Sequence, residues 1–248
     1  MTVQLASSSS CSNLPQTNCA DCRLAGICLP ISLEIEDIDK LDGIIQRGRP
    51  LQKKDHLYHA GDAFKSVYAV RSGAVKTVKI TEDGIEQITG FHLPGEIIGI
   101  DGLASNVHSN SAIALETSAI CEIPFTRLEE LSVKIPNLQR RFFQLMSKEI
   151  AEEQQLITML SKNSAEERLS ALLLSIATRN QNRGLSAKEF HLPMSRSDIG
   201  NYLGLTIETV SRIFTRLNKS GIISLDKKHI QINDFDALRS SSLNSCKD

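Results

Sequence analysis

The hydrophobic period of the chain changes at Pro136, which limits the fold to a β unit followed by helices. From about Arg47 to Phe125, β-branched runs at residues 67–70, 75–80, 97–100, 113–115 and 119–123 alternate with Gly61, Gly73, Gly84, Gly90, Gly95 and Gly102. Short apolar runs separated by turn residues predict a sandwich or barrel-like roll. Beyond Pro136 the spacing becomes helical. Phe143, Met146, Ile150, Glu153, Ile157 and Leu160 alternate steps of three and four, the a/d seam of a coiled coil, with one charged member, Glu153. Ser164 with Glu167 forms a capping box that opens the next helix, whose apolar face is Leu169, Leu172, Leu173 and Ile176. Ser195 with Asp198 caps another.

The expected class is therefore α+β, in five parts: an N-terminal arm at 1–30, a β-roll at 31–135, a dimerisation helix at 136–163, a small mostly helical domain at 164–236 and a flexible tail at 237–248. The 248 residues suffice for two medium domains, each with its own core. Polar residues dominate the first eighteen, which lack the basic and apolar segments of a signal peptide. No apolar run approaches the roughly 18–20 residues needed to span a bilayer. These features predict a cytoplasmic protein with no membrane partner.

Charge is divided along the chain. Residues 1–161 carry 15 Lys and Arg against 20 Asp and Glu, whereas residues 162–248 carry 13 against 9. A net-basic C-terminal module suits a polyanionic partner. Residues 196–215 have helix-turn-helix spacing, with Ile199, Leu203, Leu205, Val210 and Ile213 inward, Gly200 at the close approach and Gly204 at the turn. On the second helix Glu208, Ser211, Arg212 and Thr215 share the opposite face. These side chains suit base reading: Arg212 can fork onto guanine, Glu208 can accept from cytosine, and Ser211 can meet a thymine methyl. Alternating residues around 226–229 read as a hairpin wing, which makes the module a winged helix. Arg216, Lys219, Lys227 and Lys228 are candidate phosphate contacts.

Three of the six cysteines crowd the arm as C-x-x-C-x5-C: Cys19, Cys22 and Cys28. Cys121 lies far downstream in an apolar run, and Cys11 and Cys246 sit in polar tails with no assigned role. Clustered thiols without an export signal point to metal binding or redox chemistry rather than a disulfide framework. On spacing alone, zinc, an iron–sulfur cluster and free thiols all stay open. Three close cysteines and one remote one suit a cluster better than paired zinc knuckles.

Together these features resemble the oxygen-sensing FNR (fumarate and nitrate reduction regulator) branch of the cAMP receptor protein/FNR family of bacterial transcription regulators. The resemblance covers about residues 18–236. It rests on the cysteine arm, the phrase Ile88-Thr-Gly-Phe-His-Leu-Pro-Gly95 and the helix Glu208-Thr-Val-Ser-Arg212. It implies a cyclic-nucleotide-binding-like roll, a coiled-coil dimerisation helix and a C-terminal winged helix-turn-helix. It also implies a 4Fe–4S cluster held by Cys19, Cys22, Cys28 and Cys121, and a non-enzymatic role in controlling anaerobic genes. The expected partners are a second copy of the chain, palindromic double-stranded DNA with TTGAT-like half-sites, and RNA polymerase, touched by the loop 81–86. Ile85 stands there where relatives often carry an acidic residue.

Two departures are informative. The cyclic-nucleotide branch places an Arg after a Gly-Glu-x-x-Gly turn to pair the cyclic phosphate. Here Gly95 to Gly99 keep the turn, but the Arg position is Asn110, so no cyclic nucleotide is expected. Arg23, beside Cys22, occupies a position that is usually small and polar. The resemblance also implies a switch in which Glu153 weakens the dimer seam and an intact cluster offsets that penalty. A zinc- or thiol-based regulator on the same fold and an iron–sulfur redox protein are the alternatives. The chain has no phosphate-cradling glycine run or nucleophile elbow that an enzyme would use.

Overall fold

The computed structural model describes residues 18–31 and 33–243. Cys11 and Cys246 lie outside them. The chain runs through α1 (Ile35–Asp42), β1 (Gln46–Arg47), β2 (His56–Tyr58), β3 (Ser66–Ser72), β4 (Val75–Ile80), β5 (Glu86–His92), β6 (Ile97–Ile98), β7 (Ser111–Ala114) and β8 (Ala119–Pro124). These eight strands form two four-stranded sheets, ordered β1-β8-β3-β6 and β2-β7-β4-β5. The roll read from the glycine-punctuated runs is present. A tight turn at Gly73 passes the chain from β3 into β4. Its φ is 81°, and a Cβ there would lie 2.3 Å from the Ser118 hydroxyl, so only glycine fits.

The helices follow as α2 (Phe125–Lys134) and α3 (Pro136–Lys162). Pro136 stands in the first turn of α3, where its missing N–H costs nothing. The 27 residues of α3 extend about 40 Å. Its seam is divided. Phe143, Ile150 and Ile157, one heptad apart, are 59 %, 55 % and 65 % exposed, an apolar stripe that the described residues leave uncovered. Glu153 is exposed among them, and Leu160 is half-buried. Met146 instead packs against the cluster of Leu29, Leu128, Leu138 and Phe142 beneath the roll.

The C-terminal module comprises α4 (Ala165–Asn182), β9 (Glu189–His191), α5 (Arg196–Leu203), α6 (Ile207–Lys219), β10 (Ile223–Asp226), β11 (His229–Ile232) and α7 (Phe235–Leu243). Both expected capping boxes form, Ser164 with Glu167 and Ser195 with Asp198. The wing is a three-stranded sheet, β10-β11-β9, one strand more than the hairpin expected. The reading of 237–248 as a flexible tail is corrected for 237–243. Those residues belong to α7, which packs on α4 and buries Leu238 completely. A serine-rich sequence hid one apolar anchor.

The module docks on the roll, and one core spans both. Ile88, Phe91 and Leu93 of the roll join Leu172, Leu173, Ile199 and Phe214. Polar contacts fix the register. Lys76 Nζ lies 2.8 Å from Asp198 Oδ1, and Asn201 exchanges hydrogen bonds with the β5 backbone through Glu86 O (2.7 Å) and Ile88 N (2.6 Å). Arg179 Nε donates to Glu96 Oε1 at 2.7 Å and Arg179 Nη2 to Phe91 O at 2.5 Å. No helix among the described residues is long and apolar enough to cross a membrane.

Candidate metal centre and nucleic-acid interface

The arm is a series of tight turns rather than a helix or strand. Ala25 N donates to Cys22 O at 2.9 Å, and Cys28 N to Leu24 O at 2.9 Å. These turns keep the arm's cysteines close to one another. Leu29, only 1 % exposed, anchors the end of the arm in the core below the roll. Cys121 projects from β8, where Arg47 of β1 and Ala69 of β3 are its cross-strand neighbours. The small side chain of Ala69 leaves room for the arm to approach the sheet. Cys19, Cys22, Cys28 and Cys121 line one cavity, together with Arg47, Val70 and Arg71. All four cysteines are unpaired by disulfides.

The surroundings are built around two residues that the sequence reading missed. The Cys19 N–H donates to Asp42 Oδ1 at 2.7 Å, and Asp42 pairs with Arg47. Arg47 Nη2 lies 3.7 Å from Cys19 Sγ, and its Nε is buried without a partner among the described residues. A polar pair bracketing the apolar Ile44 and Ile45 was the only trace of them in the sequence. Burial, then the hydrogen bond to Asp42, pushes the Cys19 thiol up to about 12. Burial also pushes Cys28 up to about 12, with Cys121 and Cys22 adding to the rise. Cys121 is raised by burial and held back by Arg47 and Arg71. Arg23 is exposed.

The donor set is chemically apt for a soft metal centre. Thiolates bind zinc or iron–sulfur clusters, and binding requires the thiols to lose their protons. The orphaned Arg47 N–H beside the cavity fits an anionic group there. Among the described residues, no three His, Cys, Asp or Glu converge closely enough for a single metal ion. The four thiols share a cavity rather than a point.

The roll's second candidate pocket is engaged internally. Glu96, on the turn that the cyclic-nucleotide branch uses for its ligand, is paired with Arg179, which draws its carboxyl below the usual range against the opposing effect of burial. At the other end, Asp101 Oδ2 accepts from Ser109 N (2.8 Å) and Asn110 N (3.0 Å), the backbone donors beside the vacated arginine position. His108 lies 3.3 Å from Asp101 and stacks on Tyr58.

On α6, Val210, Ile213, Phe214 and Leu217 are buried, while Glu208, Ser211, Arg212 and Thr215 are exposed, as the spacing predicts. Gly204 has φ 64°, and a Cβ at Gly200 would lie 2.7 Å from Leu205 O, so both turn glycines are required. Thr206 caps the helix by accepting from Thr209 N at 3.2 Å. The guanidinium of Arg196 lies 3.3 Å from the centre of the Phe214 ring, a cation–π contact that steadies α6 from behind. Two of the four candidate phosphate contacts have internal partners: Arg216 pairs with Glu166, and Lys228 donates to Pro193 O at 2.7 Å. Lys219 and Lys227 are exposed.

Residues 167–241 match the Crp-like helix-turn-helix domain, and residues 48–134 match the cyclic nucleotide-binding domain. The chain is 53 % identical over 221 residues to the transcriptional activator protein anr of Pseudomonas aeruginosa, covering 89 % of this chain and 91 % of that protein. It is 50 % identical over 221 residues to the fumarate and nitrate reduction regulatory protein of Escherichia coli, covering 89 % and 88 %. Among solved structures, FixK2 from Bradyrhizobium japonicum superposes with a TM-score of 0.72 at 30 % identity, covering 79 % of this chain and 96 % of that one. With the roll, the long helix and the winged module in the same order, the chain belongs to the Crp/Fnr family of transcription regulators, alongside the FNR and Anr proteins.

Proposed function

We propose that the chain is an oxygen-responsive regulator of anaerobic metabolism genes, active as a dimer when a 4Fe–4S cluster is held by Cys19, Cys22, Cys28 and Cys121. The observation that carries this reading is the single cavity that the arm cysteines share with Cys121 of β8. When bound, the cluster supplies an oxygen-labile cross-link between the arm and the sheet. Arg47 balances the negative charge of the centre, and Asp42 orients Arg47 and the Cys19 backbone. Leu29 ties the arm's position to α3 through Leu138 and Phe142.

Dimerisation then proceeds along the open stripe Phe143, Ile150 and Ile157, with Met146 and Leu160 at its margins. Glu153 opposes it, because a symmetric seam brings two carboxylates together. Within one chain the neighbouring Glu149 is also affected by nearby carboxylates. Burial first, then Glu152 and Glu153, raise its carboxyl to about 7. Replacing Glu153 with Ala is expected to yield a dimer that binds DNA in air. A penalty of about 2.8 kcal/mol corresponds to a hundredfold in association. Sedimentation showing an aerobic monomer for this variant contradicts the switch.

The dimer presents two copies of α6 to palindromic DNA with TTGAT-like half-sites about one helical turn apart. Arg212→Ala is expected to weaken operator binding by about 1–3 kcal/mol per half-site and to relax selectivity at one base pair. Uniform weakening on all sequences, measured by titration on single-base operator variants, assigns Arg212 to the phosphate backbone instead. The loop 81–86, with Ile85 exposed, faces RNA polymerase.

Cyclic nucleotide is not the effector in this reading, because Glu96 and the 109–110 backbone donors are already engaged. Calorimetry with cyclic AMP is expected to show no micromolar binding. The overall reading is tested on anaerobically purified protein by assaying iron, acid-labile sulfide and zinc, then operator binding before and after brief exposure to air. Zinc without sulfide favours a zinc-based regulator. Metal-free protein that still loses operator binding in air favours a thiol-based one.

A further inference from the structure

We infer that Arg141 is the positioning residue through which the cysteine arm sets the dimerisation helix, a role that rests on the cluster reading above. Arg141 lies on α3, two residues before Phe143, the first open residue of the seam. Its guanidinium donates from Nη2 to Ile27 O at 2.6 Å and from Nε to Cys28 O at 3.2 Å. A planar fork of N–H donors is suited to grip two successive carbonyls at once. Among the described residues, these two are the hydrogen bonds that join the arm to α3.

The gripped peptide is the closing turn of the cysteine loop, whose geometry depends on where Cys28 sits. On its other side Ile27 presses against the turn at Gly95, where an added Cβ would lie 2.5 Å from Ile27 Cδ1. The segment is therefore pinned between that turn and α3. Phe142, next to Arg141, is buried in the same cluster as Leu29. A displaced loop withdraws both acceptors and leaves a half-buried guanidinium unpartnered, which is the costly half of the hydrogen-bond asymmetry. That cost falls on the stretch of α3 that must meet a second copy of the chain. Reciprocity follows: whatever the arm does to dimerisation, dimerisation does to the arm with equal free energy.

The test compares full-length wild type with Arg141→Met, which keeps length and removes the donors, and Arg141→Lys, which retains a single donor group. Each is prepared anaerobically with its cluster and again after cluster removal. Sedimentation equilibrium gives the dimer constant of both forms, and the decay of visible absorbance in air gives cluster lifetime at several protein concentrations. Wild type is expected to dimerise about a hundredfold more tightly with its cluster than without it. In Arg141→Met, which has no guanidinium to strand, that ratio is expected to shrink by about tenfold or more, chiefly through tighter association of the cluster-free form, and Arg141→Lys to fall between. Cluster lifetime is expected to rise with protein concentration in wild type and to lose that dependence in Arg141→Met. A full wild-type ratio in both variants overturns the inference, as does equal weakening of both forms, which marks a structural role alone. Wild type that takes up no iron and sulfide overturns the cluster reading itself and the inference with it.

Discussion

Cys121→Ser is expected to lose the metal centre and, with it, anaerobic operator binding. The other three cysteines lie within one ten-residue stretch of the arm, and Cys121 alone reaches the cavity from the sheet. Iron–sulfur clusters of this kind take four thiolates, and a serine hydroxyl is a far poorer soft ligand. Iron and sulfide content should fall several-fold, and operator affinity by on the order of a hundredfold as the dimer dissociates. The fold itself should survive. Serine replaces one sulfur atom at a half-buried site, a change worth about 1–2 kcal/mol at most. Normal thermal unfolding with lost sulfide separates a ligand from a structural cysteine. A variant that retains full sulfide and its anaerobic dimer rules out Cys121 as the fourth ligand.

The second large effect concerns the junction between roll and winged module. Glu96 and Arg179 come from the two sides, and each side chain is only about a fifth exposed. Removing one partner strands a charge that is largely withdrawn from water. Glu96→Gln or Arg179→Met is expected to cost about 2–3 kcal/mol, below the full range for buried pairs because some solvent screening remains. The double variant should recover part of this loss, since neither member of the pair is stranded, although Arg183, 3.9 Å from Glu96, then keeps only its neutral acceptors such as Asn180. The pH dependence has a definite sign. Arg179 lowers the Glu96 carboxyl below its ordinary 4.5, so the stabilisation is fully present above that value. It is lost as pH falls through the lowered value, and Glu96→Gln should remove that portion of the acid slope. Urea unfolding from neutral to acid pH measures it. Equal stability of wild type and both single variants contradicts the proposed latch.

The same latch engages the roll's turn glutamate from within the chain. That glutamate faces the DNA-binding module, and the roll's backbone donors face Asp101. Glu96 and the 109–110 backbone donors both have partners within the chain.

Much of this was legible in the sequence because it rests on local rules. The change of period at Pro136, the capping boxes at Ser164 and Ser195, and the glycines at Gly200 and Gly204 are set by backbone conformation within a few residues. The inward and outward faces of α6 follow from helical spacing alone. Other features depend on partners distant in the chain, and no local pattern announces them. The grouping of the arm with Cys121 requires the β3–β8 register and a small residue at Ala69. Asp42, Arg47 and Arg141 looked like ordinary surface charges until packing brought them to the arm. Seam spacing made Phe143, Met146 and Ile150 equivalent, yet the core under the roll draws Met146 in and leaves the other two open. Leu238 needed the face of α4 before a polar tail could become α7. Sequence periodicity determined which elements form and which faces they offer. Tertiary packing decided which faces meet, because burial and charge pairing reward contacts whose separation along the chain leaves no periodic trace.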